Sequence, residues 1–549
     1  MAPSAVASRY TRETPRALEK EEILAIEDRF AAAAARARKA GADGVEIIAS
    51  AGYLICQFLS PITNLREDEY GGSFENRTRF GVEVIKKVRE AVGPDFVVGI
   101  RISGSEFMPG GNTSREIIEV CKVFARAGLD IINVTGGWHE TRVPQLPAMV
   151  PRGAYTYLAS GIRKATGLPV IASNRIVEPV QAERILRDRL ADMVNVGRAQ
   201  IADPEWGNKA KDNKLDDIRP CVGCLQGCMD RLFGGKPVEC LCNPQAGYEA
   251  ERKVSRVKKP KTVAVIGAGP AGLECGITAA RRGHHVTIFD HAPEIGGQLP
   301  LVAAPPGREE FGRLLQYYQK QVQGSGITLK LGKRVTMKEL RRIRPNLVIL
   351  ATGSRQIKPE LPGVDRPEVV MAWDVLLDKV DLGETVAVIG GGAVGIETAI
   401  AVADRGTLSG DVLKFLMKHE AEEAERLKEL IVQGTRKVTL LEMLPKIGKD
   451  VGVTTRWVFL KELDLLGVEV ITEATVKAIS EEGVVYEKQG EEHHLKVESV
   501  VLALGSEPND EIEKELKQAG FEYVKIGDVK KPRKIIDAVH EGFLAALEI

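Results

Sequence analysis

A chain of 549 residues exceeds one domain, so roughly two to four are expected. Its 44% hydrophobic and 28% charged content is that of a globular protein in water, and 76 basic residues balance 76 acidic ones. That balance argues against a nucleic-acid or anionic-membrane partner, and no apolar run reaches the ~18 residues of a spanning helix. The start, MAPSAVASRYTRETPRALEKEE, lacks the apolar core of a signal peptide, and cysteines are sparse outside one window, so a cytoplasmic location is expected.

From residue 16 to 200, amphipathic helical stretches alternate with β-rich runs: GVEIIAS (44–50), FVVGIRIS (96–103), IINVTGG (131–137), PVIASN (169–174) and ADMVNVG (191–197). This rhythm predicts βα units on a parallel sheet. The runs are apolar along their length, which predicts a sheet covered on both faces. Glycine and polar residues gather at the strand C-terminal ends, where a (β/α)₈ barrel keeps its site. Five units are present where a closed barrel has eight.

Residues 201–256 are irregular and hold five of the eight cysteines. Cys221, Cys224, Cys228 and Cys240 are spaced C-x2-C-x3-C-x11-C. A zinc ribbon presents two C-x2-C hooks and the second is missing, so a [4Fe–4S] cluster fits better. Cys242 is an alternative to Cys240 or a bystander. Cys56, Cys121 and Cys275 stand singly in apolar stretches and are expected to pack.

After the linker VSRVKKPKT (254–262) comes a duplication: VAVIGAGPAGLECG (263–276) and VAVIGGGAVGIETA (386–399). Gly267, Gly269 and Gly272 form G-x-G-x-x-G between an apolar strand and a helix, as do Gly390, Gly392 and Gly395. Such glycines let backbone approach a pyrophosphate at a helix N-terminus. Asp290 and Glu442 end the next strands, HVTIFD and KVTLLE, where a carboxylate can accept ribose hydroxyls and repel a 2′-phosphate, so NADH is preferred to NADPH. EIGGQ (Gly297, Gln298), LATG (Gly353) and IGD (Gly527, Asp528) are expected beside the first nucleotide, with Asp528 near a flavin ribityl chain. LKFLMKHEAEEAERLKEL (413–430) reads as one solvated amphipathic helix.

Together these motifs, with GYLICQFLSPITNLREDEYGGSFENRTRF (52–80) and GGWHETRVPQ (136–145), resemble the multidomain flavoproteins related to old yellow enzyme. That group includes 2,4-dienoyl-CoA reductase, which the second stretch resembles most, 2-enoate reductase and trimethylamine dehydrogenase. The resemblance spans essentially the whole chain. It implies an α/β protein: an incomplete TIM barrel with an iron–sulfur extension, followed by two Rossmann-like nucleotide-binding domains. The expected boundaries are 1–217 for a barrel lacking its first three units and 218–256 for the cluster segment. FAD falls to 257–380 with 500–549, and NAD(H) to 381–499.

Position by position, the resemblance implies that Arg101 meets the FMN ring, and that Asn174, Arg175, Gly197 and Arg198 meet its phosphate. Tyr53 matches the proton donor and His139 its partner. The family's histidines before the tyrosine are replaced by Ile48 and Ala51. The implied cofactors are FMN, FAD, a [4Fe–4S] cluster and NADH. Electrons would pass from NADH to FAD, to the cluster, to FMN, and on to a C=C bond of an enoyl or enone substrate. The missing units are expected to reflect a truncation or a separate polypeptide. Two rivals stand beside this reading: an NADH-oxidising electron-transfer component with a broken barrel, and an amine dehydrogenase of the trimethylamine type.

Overall fold

The computed structural model describes residues 1–549, which divide into two compact units, Met1–Gln200 and Ile201–Ile549. In the first unit, β1 (Gly44–Ala49), β2 (Val97–Ser103), β3 (Ile131–Thr135), β4 (Val170–Ala172) and β5 (Met193–Val194) form one sheet in sequential order, every pair parallel. Helices connect them, and local chemistry fixes their ends. Ser73 accepts from Asn76 N–H at the start of Phe74–Val92, Thr113 and Glu116 close a capping box on Ser114–Arg126, and left-handed Gly167 ends Thr156–Thr166.

The row Ile47, Ile100, Ile132, Val170 runs across four strands in register and is buried. The next row, Ile48, Arg101, Asn133, Ile171, Met193, points to the opposite face, where Ile48 and Met193 are each 41% exposed. The expectation of a sheet covered on both faces is therefore corrected. Right-handed βα crossovers put every helix on one side, and the other side is covered only when a sheet closes on itself. Here β1 and β5 stand at opposite edges.

The second unit begins with the cysteine-rich segment, which carries only short helices, among them Met229–Phe233. The strands that follow are β6 (Thr262–Ile266), β7 (His285–Phe289), β8 (Thr328–Lys330), β9 (Leu347–Leu350), β10 (Ser354–Gln356), β11 (Val369–Met371), β12 (Thr385–Ile389) and β13 (Lys437–Glu442). They continue with β14 (Glu469–Thr472), β15 (Thr475–Ser480), β16 (Gly483–Lys488), β17 (Glu491–Lys496), β18 (Ser499–Leu502), β19 (Ser506–Pro508) and β20 (Tyr523–Lys525).

Two parallel sheets result, ordered β20-β9-β6-β7-β8 and β11-β18-β12-β13-β14, with a β10–β19 ribbon and a β15–β16–β17 meander. The motif strands β6 and β12 are central, and their valines are fully buried. Each glycine turn thus leaves the middle of its sheet, where a doubly wound fold opens its crevice.

The single helix expected over 413–430 is two, Gly410–Lys418 and Ala424–Leu430, separated at Glu420, which is left-handed at φ 50°. Val412, Phe415 and Met417 on the first are exposed, so its solvated face is not only charged. No helix is long and apolar enough to cross a membrane.

Candidate functional site: a cysteine segment and two glycine turns

The cysteine segment is folded by close backbone approach. Glu239 N–H donates to Gly227 O at 2.7 Å, and a Cβ on Gly227 would lie 2.7 Å from Glu239 O. Only glycine permits this, and it brings Cys228 alongside Cys240. Left-handed Gly223 and Leu225 wind the chain between Cys221 and Cys228. The Cys224 thiol is pushed up first by burial and then by the neighbouring sulfurs of Cys240, Cys228 and Cys221. Cys240 is pulled down, chiefly because Cys242 bonds its sulfur. No three His, Cys, Asp or Glu side chains converge as they would on a single ion. Cys56, Cys121 and Cys275 are buried, as packing residues are.

Both glycine motifs are built by the same contacts. A Cβ on Gly272 would lie 2.0 Å from Gly267 O, and one on Gly395 would lie 1.8 Å from Gly390 O. Gly267 (φ 112°) passes Ala351 O so closely that a Cβ would sit 2.1 Å away, and Gly390 (φ 109°) does the same at Ala503 O. The backbone is bare where a pyrophosphate would lie. Gly269 and Gly392 precede the helices Pro270–Arg281 and Ala393–Ala403 as extended N-cap residues.

The two strand-end carboxylates each accept from the backbone of their own glycine turn. Asp290 accepts from Ala268 N–H at 2.6 Å and Ala292 N–H at 2.8 Å; Glu442 accepts from Gly391 N–H at 2.6 Å and Leu444 N–H at 2.7 Å. Each one ties its own glycine turn to the neighbouring strand.

Gln298, Ser354 and Asp528 form a chain: Gln298 Nε2 donates to Ser354 Oγ at 3.1 Å, and Ser354 Oγ to Asp528 Oδ2 at 3.3 Å. Burial raises the Asp528 carboxyl. Left-handed Gly353 and Gly527 make the bends that deliver these side chains. Gln298, Ser354 and Asp528 open on a cavity of 1520 Å³, which Cys224, Gly267, Asp290, Val394 and Asp450 also line. Asp450 accepts from Ala393 N–H at 3.0 and 3.1 Å.

In the first unit, the loops after β1 and β3 are bound together. Ala51 N–H donates to Ser103 Oγ at 3.0 Å, Ser103 Oγ donates to Gly137 O at 2.7 Å, and His139 N–H donates to Ala51 O at 3.2 Å. Ala51 and Gly52 are both left-handed, so the chain turns sharply and presents Tyr53. The Tyr53 and His139 rings meet edge to face, 5.5 Å between centroids. Tyr53 is 55% exposed, and burial lowers the His139 pKa, favouring the neutral ring.

Arg101 lines an open cavity of 610 Å³ with Asn133, whose amide donates to Glu46 at 2.7 Å. Asn174 and Arg175 are consecutive left-handed residues. Arg175 is buried and donates to Val150 O and Ala148 O, while Arg198 donates to Leu146 O. Both arginines brace the 146–150 loop. Gly197 has nothing within 4 Å of an added Cβ.

Residues 2–217 match the NADH:flavin oxidoreductase / NADH oxidase family, and residues 261–531 match pyridine nucleotide-disulphide oxidoreductase. A metal reductase of Desulforamulus reducens is 46% identical over all of this chain and 83% of its own length. The chain belongs to the NADH:flavin oxidoreductase family. It is an oxidoreductase with flavin- and NAD-binding domains. An NADH oxidase of Thermoanaerobacter brockii is 38% identical over all of this chain and 81% of its own. The structure of a 2-naphthoyl-CoA reductase superposes with a TM-score of 0.90 at 31% identity, covering 100% of this chain and 80% of that one.

Within this family framework, four groupings of the expected residues come together: Tyr53 with His139, the four cysteines, the two glycine triads, and Gln298 with Asp528. Three features were not anticipated. Tyr10 stacks on His139 at 6.2 Å, held by Ser8 Oγ donating to Glu140 at 2.7 Å. Arg308 pairs with Glu397 on the second motif helix. Asp450 sits at the start of that helix. Nothing in the spacing of SRYTRE, APPGREE or KIGKDVG distinguishes these from surface residues.

Proposed function

We propose that this oxidoreductase uses NADH to reduce a C=C bond conjugated to a carbonyl or thioester, in the manner of a 2-enoate or 2,4-dienoyl-CoA reductase. The observation that carries this reading is the Tyr53–His139 contact at 5.5 Å. It joins a solvent-facing phenol to an imidazole kept neutral by burial. The Tyr53 hydroxyl gives its proton to the substrate carbon alpha to the carbonyl, and the neutral His139 ring hydrogen-bonds the carbonyl oxygen or orients the phenol. Two relatives favour the same chemistry: a 2-naphthoyl-CoA reductase and a cinnamate reductase of Clostridium sporogenes are both similar to this chain.

The residues proposed to hold the cofactors follow the expected segments. FAD takes Gly267, Gly269, Gly272, Asp290, Gly297, Gln298, Gly353, Gly527 and Asp528; NADH takes Gly390, Gly392, Gly395 and Glu442. The glycine cradles, whose first and third glycines leave no room for a Cβ, fit both. The [4Fe–4S] cluster takes Cys221, Cys224, Cys228 and Cys240; their spacing lacks the second C-x2-C hook of a zinc ribbon, and Cys224 lies beside the sulfurs of the other three. FMN takes Arg101, Asn174, Arg175, Gly197 and Arg198. When bound, these groups supply the electron chemistry: two-electron exchange at the nucleotide and flavins, one-electron relay at the cluster.

The test is Tyr53→Phe, assayed anaerobically with an enoyl thioester and with an NADH-linked dye. Loss of substrate reduction with dye reduction kept supports the roles, and loss of both contradicts them. A second reading has its own support in the 46% identical metal reductase: electrons from NADH leave directly to an inorganic acceptor. It requires metal-ion reduction that Tyr53→Phe leaves intact, with no enoyl reduction in the parent.

A further inference from the structure

Arg219 stands two residues before Cys221 and is 9% exposed. Its Nη1 donates to Cys242 O, two residues beyond Cys240. One guanidinium thereby clamps both ends of the cysteine segment. The same Nη1 lies 3.2 Å from Glu274 Oε2, and Nη2 lies 3.3 Å from Oε1. Glu274 is 1% exposed and belongs to the first motif helix, two residues past Gly272. Tyr318 Oη donates to Glu274 Oε2 at 3.1 Å, and Tyr317 carries the guanidinium over its ring at 5.1 Å. Val222, Leu241 and Cys242 share one hydrophobic core with Leu273, Cys275 and Tyr318. Arg219 N–H is itself held by Asp203 Oδ2 at 2.8 Å.

We propose that the Arg219–Glu274 pair is the positioning link between the cysteine segment and the first motif helix, and that its charge balance sets the reduction potential of the group the cysteines hold. This rests on the cluster reading above. Buried charges are little screened, so they act on any redox centre beside them. Arg219 is the nearer of the two, on the Cys242 carbonyl, and its cation favours the reduced, more negative state. Glu274 offsets that effect, and the Tyr318 hydroxyl moderates Glu274.

The signs are testable by potentiometric titration followed by EPR on anaerobically purified protein, with iron assayed in each variant. Glu274→Gln is expected to shift the cluster potential upward with iron retained. Arg219→Gln/Glu274→Gln is expected to bring it back down. Tyr318→Phe is expected to shift it downward, and decides the matter should Glu274→Gln fail to retain iron. A purely structural role would cost iron without these opposed shifts. Iron-loaded variants whose potentials match the parent overturn the proposal alone. A parent without iron overturns the cluster reading and this proposal with it.

Discussion

Asp230, in the cysteine-rich segment, accepts hydrogen bonds from both the backbone N–H (2.9 Å) and the hydroxyl (2.6 Å) of Thr454, at the start of the helix Val453–Leu465. The carboxylate caps a helix that has no capping side chain of its own, since its N-cap is Gly452. A segment read from sequence for its sulfurs thus also holds the start of the helix that follows β13.

Removing that cap has a defined cost. Asp230→Ala should lower the stability of the second unit by about 1 kcal/mol, the usual loss of a helix cap. Gly452→Ala should cost more, because its Cβ would fall 1.8 Å from Asp230 Oδ2. Urea unfolding followed by tryptophan fluorescence measures both, and the double variant Asp230→Ala/Gly452→Ala should recover part of the Gly452→Ala loss.

In the proposed assignment, the two glycine triads serve different nucleotides. Gly272→Ala drives a Cβ into Gly267 O and should yield protein with less FAD. Gly395→Ala does the same at Gly390 O and should keep bound FAD while raising the Kd for NADH by tenfold or more, at ~1.4 kcal/mol per decade. Flavin stoichiometry after acid release and anaerobic NADH titration read the two effects.

A pH dependence follows from Glu106, which is fully buried in the first unit. Burial raises its carboxyl to about 7, although Ser60 Oγ (2.7 Å) and the Asn112 side-chain amide (2.7 Å) donate to it and pull the other way. A folded value above the unfolded 4.5 means that the folded state holds the extra proton between them. The contribution is full below about 4.5 and fades as pH rises to about 7. Glu106→Gln should flatten this slope in the melting temperature of the first unit between those pH values and be relatively most stable near pH 8.

Much of this was readable from residue order, for identifiable reasons. All five β-rich runs of the first unit became strands, trimmed where glycine and polar residues begin, because β-branched runs bounded by such residues have few other folds. The glycine triads were legible because an added Cβ on the third glycine of each would fall about 2 Å from a backbone carbonyl, which leaves no other residue type. The cysteines were legible because sulfur is scarce elsewhere. What pairing decides was not legible. That Asp290 and Glu442 also accept from the N–H groups of their own glycine turns was not written in the residue order. The open face of Ile48 and Met193 depends on whether β1 and β5 meet, which no local pattern encodes. Glu274 reads as a lone charge on an apolar helix until Arg219, 55 residues earlier, is seen against it.

The central claim is that Cys221, Cys224, Cys228 and Cys240 hold an iron–sulfur cluster opening, through Cys224, on the cavity that Gly267, Gln298 and Asp528 line. Iron and acid-labile sulfide determined on anaerobically purified protein test it most directly. The account predicts about four of each per chain, lost on substituting serine for any of the four and retained in Cys242→Ser. Protein that contains zinc, or that contains neither metal with the four thiols fully titratable, would contradict it.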